Sequence, residues 1–326
     1  MKAYIATCTA IALTFSLAGR TTSAATSDNY PSKPIRLIVG FTPAAATDFI
    51  ARALAQKLAE QMGTPVIVDN RPGAGGNIAY DIGVKAPADG YTLIFNTGGL
   101  VQNYALSSKR SYHPLRDFAP VSMVSKSPLL LVANTTVPAS NVTELVAYAK
   151  ANPDKLSYGS AGAGNITHLG NLLFQKAVGI KAIHIPYKGT APALTDLIGG
   201  QINYSTPTTG SALPFLKDKR LKPLAILGLK RMPVLPDVPT ASETVAPTLE
   251  VGGWLGVLAL AKTPPAIVKR LNMEIVKALN EADLRTSPVF DGAEVVGSSP
   301  EEYAAYIRVE LERWTKIIKE SDLKLD

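Results

Sequence analysis

Hydrophobic and polar positions along the chain fall into short apolar runs and longer stretches where apolar side chains return at helical spacing. Ile35-Arg36-Leu37-Ile38-Val39 is a run broken only by Arg36, the pattern of a strand buried on both faces of a parallel sheet. A loop of small side chains follows. Thr47 and Asp48 then offer helix caps, and Ile50, Leu54, Leu58 and Met62 line one helical face up to a Gly63 stop. The alternation continues with a strand at Val66-Ile67-Val68, a loop dense in turn residues from Asp69 to Asn77, a short helix from Ile78 and a strand from Tyr91 to Phe95. That strand ends in Asn96-Thr97-Gly98-Gly99, again small and polar. Strands ending in such loops and alternating with helices predict an open α/β sheet, whose ligands sit beyond the carboxyl ends of the strands.

The pattern restarts near Ser127-Pro128, where a second lobe is expected to begin. Leu129 to Ala133 reads as a strand and Val142 to Ala151 as a helix stopped by Asn152-Pro153. The opening plan then returns. Leu156-Ser157-Tyr158 is a short strand, Gly159 to Gly164 a loop of small residues, and Asn165 or Thr167 the cap of a helix carrying Leu169, Leu172, Leu173 and Phe174. Strands follow around Ile183-His184-Ile185, Ile202 to Ser205 and Leu224 to Leu227, with helices ending at Gly199-Gly200 and starting at Ser211. The chain is expected to return to the first lobe near Gly252-Gly253-Trp254, through a strand over Leu255 to Leu260. Pro264-Pro265 opens a helix through Ile267, Leu271, Ile275 and Leu279. A last helix from Pro300 to about Glu320 carries Tyr303, Tyr306, Ile307, Leu311, Trp314 and Ile318 on an apolar stripe. The expected division is residues 26–127 with 252–326 in one lobe and 128–251 in the other.

The first 25 residues stand apart: a basic Met1-Lys2, a mostly apolar Tyr4 to Ala18, and small residues at Thr22-Ser23-Ala24-Ala25. They read as a secretory signal cleaved near Ala24/Ala25, with a short N-terminal anchor as the alternative. The single cysteine, Cys8, would leave with it. Disulfide and thiolate chemistry are then excluded from the mature chain. The formal charge of +7 falls to +5 once Lys2 and Arg20 leave, and the basic residues are scattered. With 7% aromatics, this gives no basic, aromatic stripe for nucleic acid.

A strand, a small-residue loop and a helix N-terminus bring main-chain N–H groups to one point, where they favour an anion. Here that plan predicts a bound small carboxylate, with an ordinary unoccupied turn as the alternative. Other chemistries fail on spacing. From Gly73, the third glycine of a dinucleotide fingerprint falls at Ile78, and no P-loop Gly-Lys-Ser or Gly-Lys-Thr occurs. His113, His168 and His184 are widely spaced, so neither a metal nor a cofactor is expected. Ser160 with His168 suggests a serine hydrolase, but Tyr158 stands where a nucleophile elbow needs glycine.

Several segments in order resemble the Bug family, the periplasmic substrate-binding proteins of tripartite tricarboxylate transporters. They are Tyr30-Pro31-Ser32-Lys33-Pro34-Ile35-Arg36-Leu37-Ile38-Val39, Val68-Asp69-Asn70-Arg71-Pro72-Gly73-Ala74-Gly75-Gly76-Asn77-Ile78, Ala88-Asp89-Gly90-Tyr91-Thr92-Leu93, Tyr158 to Leu169, Ile185-Pro186-Tyr187-Lys188-Gly189, Leu235-Pro236-Asp237-Val238-Pro239-Thr240 and Thr263-Pro264-Pro265. The resemblance implies a type II, Venus-flytrap α/β fold of two lobes, with open mixed sheets, flanking helices and two chain crossings. It implies a monomeric periplasmic receptor, not an enzyme, that hands a small organic acid to permease subunits in the membrane. A sensor for a membrane signalling protein would share the same cleft. Ligand contacts are expected from Thr42, Ala44, Ala45, Ala46, Thr47, Asp48, Asn77, Thr97 and Gly98 on one lobe. The other lobe is expected to supply Ser160, Gly164, Asn165, His168, Tyr187, Thr206 and Pro207. Ala44 and Ala45 replace the family's usual glycine pair, and Thr206-Pro207 stands where an acidic residue is common. Without that acid, the ligand is expected to lack an ammonium group.

Overall fold

The computed structural model describes residues 29–43, 46–107 and 111–320. The expected signal peptide, and the loop residues Ala44 and Ala45, lie outside them. The first lobe opens with β1 (Ile35–Val39), α1 (Ala46–Met62), β2 (Val66–Asn70), α2 (Asn77–Gly83), β3 (Thr92–Thr97) and α3 (Gly99–Leu106). Then β4 (Phe118–Asn134) leads into α4 (Val142–Ala151), β5 (Ser157–Ser160), α5 (Ile166–Val178), β6 (Ile183–Pro186) and α6 (Thr190–Ile198). Next come β7 (Tyr204–Ser205), α7 (Thr209–Lys217), β8 (Leu221–Leu227) and α8 (Ala241–Thr244). The return is made by β9 (Gly252–Leu260), α9 (Pro265–Asn280), α10 (Ala282–Arg285), β10 (Glu294–Val295) and α11 (Pro300–Glu320).

The strands run in the order β2-β1-β3-β9-β4-β7-β5-β6, with β8 and β10 also paired to β4. In the first lobe β1 is parallel to β2 and β3, and β9 is antiparallel to β3. In the second, β5 is parallel to β6 and β7. Each sheet is mixed and covered on both faces, and the period of two sorts its side chains. Leu37, Val39, Leu93, Phe95 and Val257 face the core shared with α1 and α9, while Ile38, Ile94 and Leu258 face the one shared with α3 and α11. Leu129, Leu131 and Ala133 likewise point one way in the second lobe, and Leu130 and Val132 the other.

β4 joins the lobes. Phe118 to Pro128 pair with β9, and from Leu129 the strand pairs with β8 instead. The expected strand at Leu129 to Ala133 is thus the far half of a 17-residue strand. Its near half carries Pro120, Ser122, Ser125, Lys126 and Pro128, which break the apolar pattern, and its register slips between Pro120 and Ser122 and between Met123 and Ser125. The second crossing, at Val251-Gly252, runs beside the first. A side chain at Gly252 would reach within 2.7 Å of the Ser127 carbonyl oxygen, so glycine lets the two crossings touch.

Candidate functional site

Between the lobes lies a cavity of about 1070 Å³. From the first lobe it is walled by the start of α1 (Ala46, Thr47, Phe49), the turn before α2 with Asn77, and the β3–α3 junction at Thr97, Gly98 and Gly99. The second lobe contributes Ala161 to Thr167 and the start of α7 (Thr208, Gly210, Ser211). Ser125, Ser127, Gly253 and Trp254 floor it at the crossings. Helix starts from both lobes therefore open on one space. The first turns of α3, α5 and α7 hold no acidic residue that would offset their positive ends. Among the described residues, the only charged side chains in the wall are Lys217 and Asp291, both exposed at its edge.

Of the residues expected from sequence, Ala46, Thr47, Asn77, Thr97, Gly98, Gly164 and Asn165 line this cavity. The Thr97 hydroxyl accepts from the Gly99 N–H at 3.1 Å, fixing the turn into α3. Asn165 caps α5, its side chain accepting from the Thr167 N–H at 3.0 Å. The second-lobe loop spends most of its donors internally. Ala161 N–H donates to Thr167 Oγ1 at 2.8 Å, Gly162 N–H to Ser160 Oγ at 3.2 Å and Gly164 N–H to His168 Nδ1 at 3.0 Å. These bonds stiffen the loop and leave fewer main-chain donors for a ligand than its composition suggests.

Thr42, Asp48, Ser160, His168, Tyr187, Thr206 and Pro207 are not in the cavity wall. Asp48 is buried, with Arg52 Nε at 2.9 Å and Asn70 Nδ2 at 2.8 Å. Tyr187 turns its hydroxyl to Asp196, 2.7 Å away. Thr206 is wholly buried, accepting from Asn171 Nδ2 at 2.6 Å and donating to the Thr167 carbonyl at 2.9 Å. Ser160, 1% exposed, has its hydroxyl 2.7 Å from His184 Nε2. The His184 ring stacks on His168 with centroids 4.0 Å apart and planes 3° from parallel. Burial, then the neighbouring His184, lowers the His168 pKa to about 4, and burial lowers that of His184. This group braces the loop from behind. No carboxylate is hydrogen-bonded to His184 among the described residues, and Ser160 is shut away, so the geometry is not that of a hydrolytic triad.

Sequence reading did not single out Phe49, Gln102, Asn103, Ser125, Ser127, Thr208, Ser211 or Trp254 as cleft residues, although all are in the wall. For three of them there was a signal. Gln102 and Asn103 are polar residues just after the Gly98-Gly99 turn, and Trp254 follows the Gly252-Gly253 pair where the chain returns. The side-chain N–H of Trp254 is buried without a hydrogen-bond partner, an arrangement that costs about 1–3 kcal/mol in a folded chain. Among the described residues no cluster of histidine and acidic side chains suits a metal ion, and no helix is long and apolar enough to cross a membrane.

Two lobes, two crossings and a cavity walled by helix starts define a periplasmic solute-binding protein. The family model of the tripartite tricarboxylate transporter family receptor matches residues 50–323, and the chain belongs to that family. BugT of Bordetella pertussis is 36% identical over 300 residues, which cover 91% of this chain and 92% of that protein. Among solved structures, R. palustris Rpa4515 with adipate has 34% identity and a TM-score of 0.80, over 89% of this chain and 98% of that one. MatC from Rhodopseudomonas palustris with bound malate has 32% identity and a TM-score of 0.77, over 89% of this chain and 100% of that one. The family consists of substrate-binding receptors rather than enzymes.

Proposed function

We propose that this protein is an exported receptor that captures a small organic acid between its lobes and delivers it to the membrane subunits of a tripartite transporter. The observation that carries the reading is the cavity itself, walled by the unneutralised starts of α3, α5 and α7, with exposed Lys217 and Asp291 the only charged side chains in its wall among the described residues. Each helix N-terminus carries about half a positive charge, so two lobes together offset a carboxylate without an arginine. Adipate and malate in two similar proteins support the same class of ligand. The proposed contacts are Ala46, Thr47, Asn77, Thr97 and Gly98 from one lobe and Gly164 and Asn165 from the other. Among the described residues the one acidic side chain in the wall, Asp291, is exposed, which favours an acid without an ammonium group.

Isothermal calorimetry over mono-, di- and tricarboxylates tests this. Binding of at least one, with succinate-like acids preferred over aspartate and glutamate, is the expected result. No binding of any carboxylic acid, with tight binding of a neutral or cationic solute, would overturn it. Delivery is tested separately, by loss of uptake of the bound acid when the receptor gene is deleted.

A further inference from the structure

Trp254 stands at the start of β9, where the chain crosses back into the first lobe. The side chain is 2% exposed, and its indole N–H has no hydrogen-bond partner among the described residues. Tyr303 and Tyr306 hold the ring edge to face, with centroids 5.8 and 5.6 Å away and planes at 86° and 90°. The ring is thereby fixed with its nitrogen toward Gly98. A Cβ built on Gly98 would lie 3.2 Å from Trp254 Nε1 and 3.4 Å from Gln102 Nε2. All three residues line the cavity. The Gly98 backbone, at φ −52° and ψ −21°, is right-handed helical, a conformation open to any L-residue. Glycine is therefore not required there by the chain path. What its missing side chain leaves is space in front of two side-chain nitrogens.

We infer that this space is a subsite in which the Trp254 indole N–H and the Gln102 amide hold one carboxylate oxygen of the ligand. The inference rests on reading the cleft as a small-acid site, and it adds the residues that select the acid. Indole is a donor only, and an amide nitrogen donates and does not accept. The first turn of α3, which begins beside Gly98, holds no acidic residue, and its Gly99, Val101 and Gln102 N–H groups are already bonded to Thr97 Oγ1 and the Gly98 carbonyl, so the two side chains are the donors that matter here. A pocket of neutral donors receives an oxygen with free lone pairs and gives an ammonium group nothing to bond to. Because the indole is buried and already desolvated, its bond to an anion forms in a region poor in competing water.

The chain has two tryptophans, and the second supplies an internal control: Trp314 Nε1 donates to Glu310 Oε2 at 2.9 Å within the core. The full chain with ¹⁵N-labelled indoles is titrated with succinate, malate and adipate, with calorimetry in parallel. The expected result is a downfield shift of the Trp254 indole proton that saturates at the calorimetric Kd, with the Trp314 signal unmoved. Trp254→Phe, which keeps the ring between the two tyrosines, and Gln102→Leu should each weaken the acid that binds by about tenfold or more. Gly98→Ala, which places a methyl 3.2 Å from the indole nitrogen, should do the same, with urea unfolding run alongside to separate the lost contact from crowding of the ring. Calorimetric binding with an unmoved Trp254 signal, or unaltered affinity in both Gly98→Ala and Gln102→Leu, overturns the subsite and leaves the receptor reading standing. Neither heat nor shift with any acid of the mono-, di- and tricarboxylate screen, with tight binding of a neutral or cationic solute, overturns the subsite together with the reading it rests on.

Discussion

Asn70 Nδ2 donates to Asp48 Oδ1 at 2.8 Å, tying the end of β2 to the first turn of α1 beside the cleft. The same amide nitrogen reaches the Phe41 carbonyl at 3.0 Å, and its oxygen accepts from Arg52 Nη2 at 2.9 Å. One side chain thus holds both ends of the loop that leads into the proposed site. Asn70→Leu leaves a buried carboxylate short of a donor, a loss of roughly 1.5–3 kcal/mol for a hydrogen bond to a charged group. Urea unfolding should show that loss, and affinity for the bound acid should fall with it. An unfolding midpoint equal to that of the parent protein would show that the tie supports nothing.

The stacked histidines predict an acid-sensitive window. His168 has a pKa of about 4 in the folded chain, lowered chiefly by burial, against about 6.5 unfolded. Between those values the unfolded chain holds more protons, so stability is full above pH 6.5 and falls as the solution is acidified. By about pH 4.5 the His168 share of the loss is about 2–3 kcal/mol. Protonation at Nδ1 also removes the acceptor of the Gly164 N–H, next to the cavity. His168→Gln keeps an acceptor without the titration. Its stability should depend less steeply on pH over this window, measured by urea unfolding of both proteins at several pH values.

Most of the strand and helix positions were legible because burial on both sheet faces leaves short apolar runs, and burial of one helix face leaves apolar side chains three or four residues apart. Ile35–Val39, Val142–Ala151 and Pro300–Glu320 are read directly from that pattern. The near half of β4 was not, because its prolines and serines sit at bulges where the ladder is already interrupted. Loop composition pointed to Thr97-Gly98 and Gly164-Asn165, which line the cavity. It could not tell a residue facing the cavity from one bracing the loop behind it. Ser160, His168 and Thr206 are polar, close to the cleft and turned inward, and only the packing of α5 on the sheet decides that.

Thr206 is one such brace. With no exposed surface, its hydroxyl links β7 to α5 through Asn171 and the Thr167 carbonyl. Thr206→Val should lower stability by about 1–3 kcal/mol, since a buried donor and acceptor lose a partner. Ligand preference should stay as in the parent protein. A changed ratio of affinities for two acids of different length would instead place Thr206 at the ligand.

Gly256 predicts a steric failure that reaches the cleft from the far end of the chain. A Cβ there would collide with the Tyr303 hydroxyl and lie 2.7 Å from ring carbon Cε1. Tyr303 is fully buried, donates to Asn96 Oδ1 at 2.9 Å, and supports the Trp254 ring. Overpacking of this kind costs about 1–3 kcal/mol or more, so Gly256→Ala should melt well below the parent protein. Tyr303→Phe alone should cost about 1–3 kcal/mol by leaving Asn96 Oδ1 unpaired, without moving the ring. Shrinking the ring as well, in Gly256→Ala with Tyr303→Leu, should cost less than the two single changes added together, because the added methyl then occupies space the ring has vacated. Additive losses in that double-mutant cycle, measured by urea unfolding, would show that strain at Gly256 is relieved without Tyr303. The Gly256→Ala chain should also bind its acid more weakly, because a displaced Tyr303 no longer holds the Trp254 indole toward Gly98.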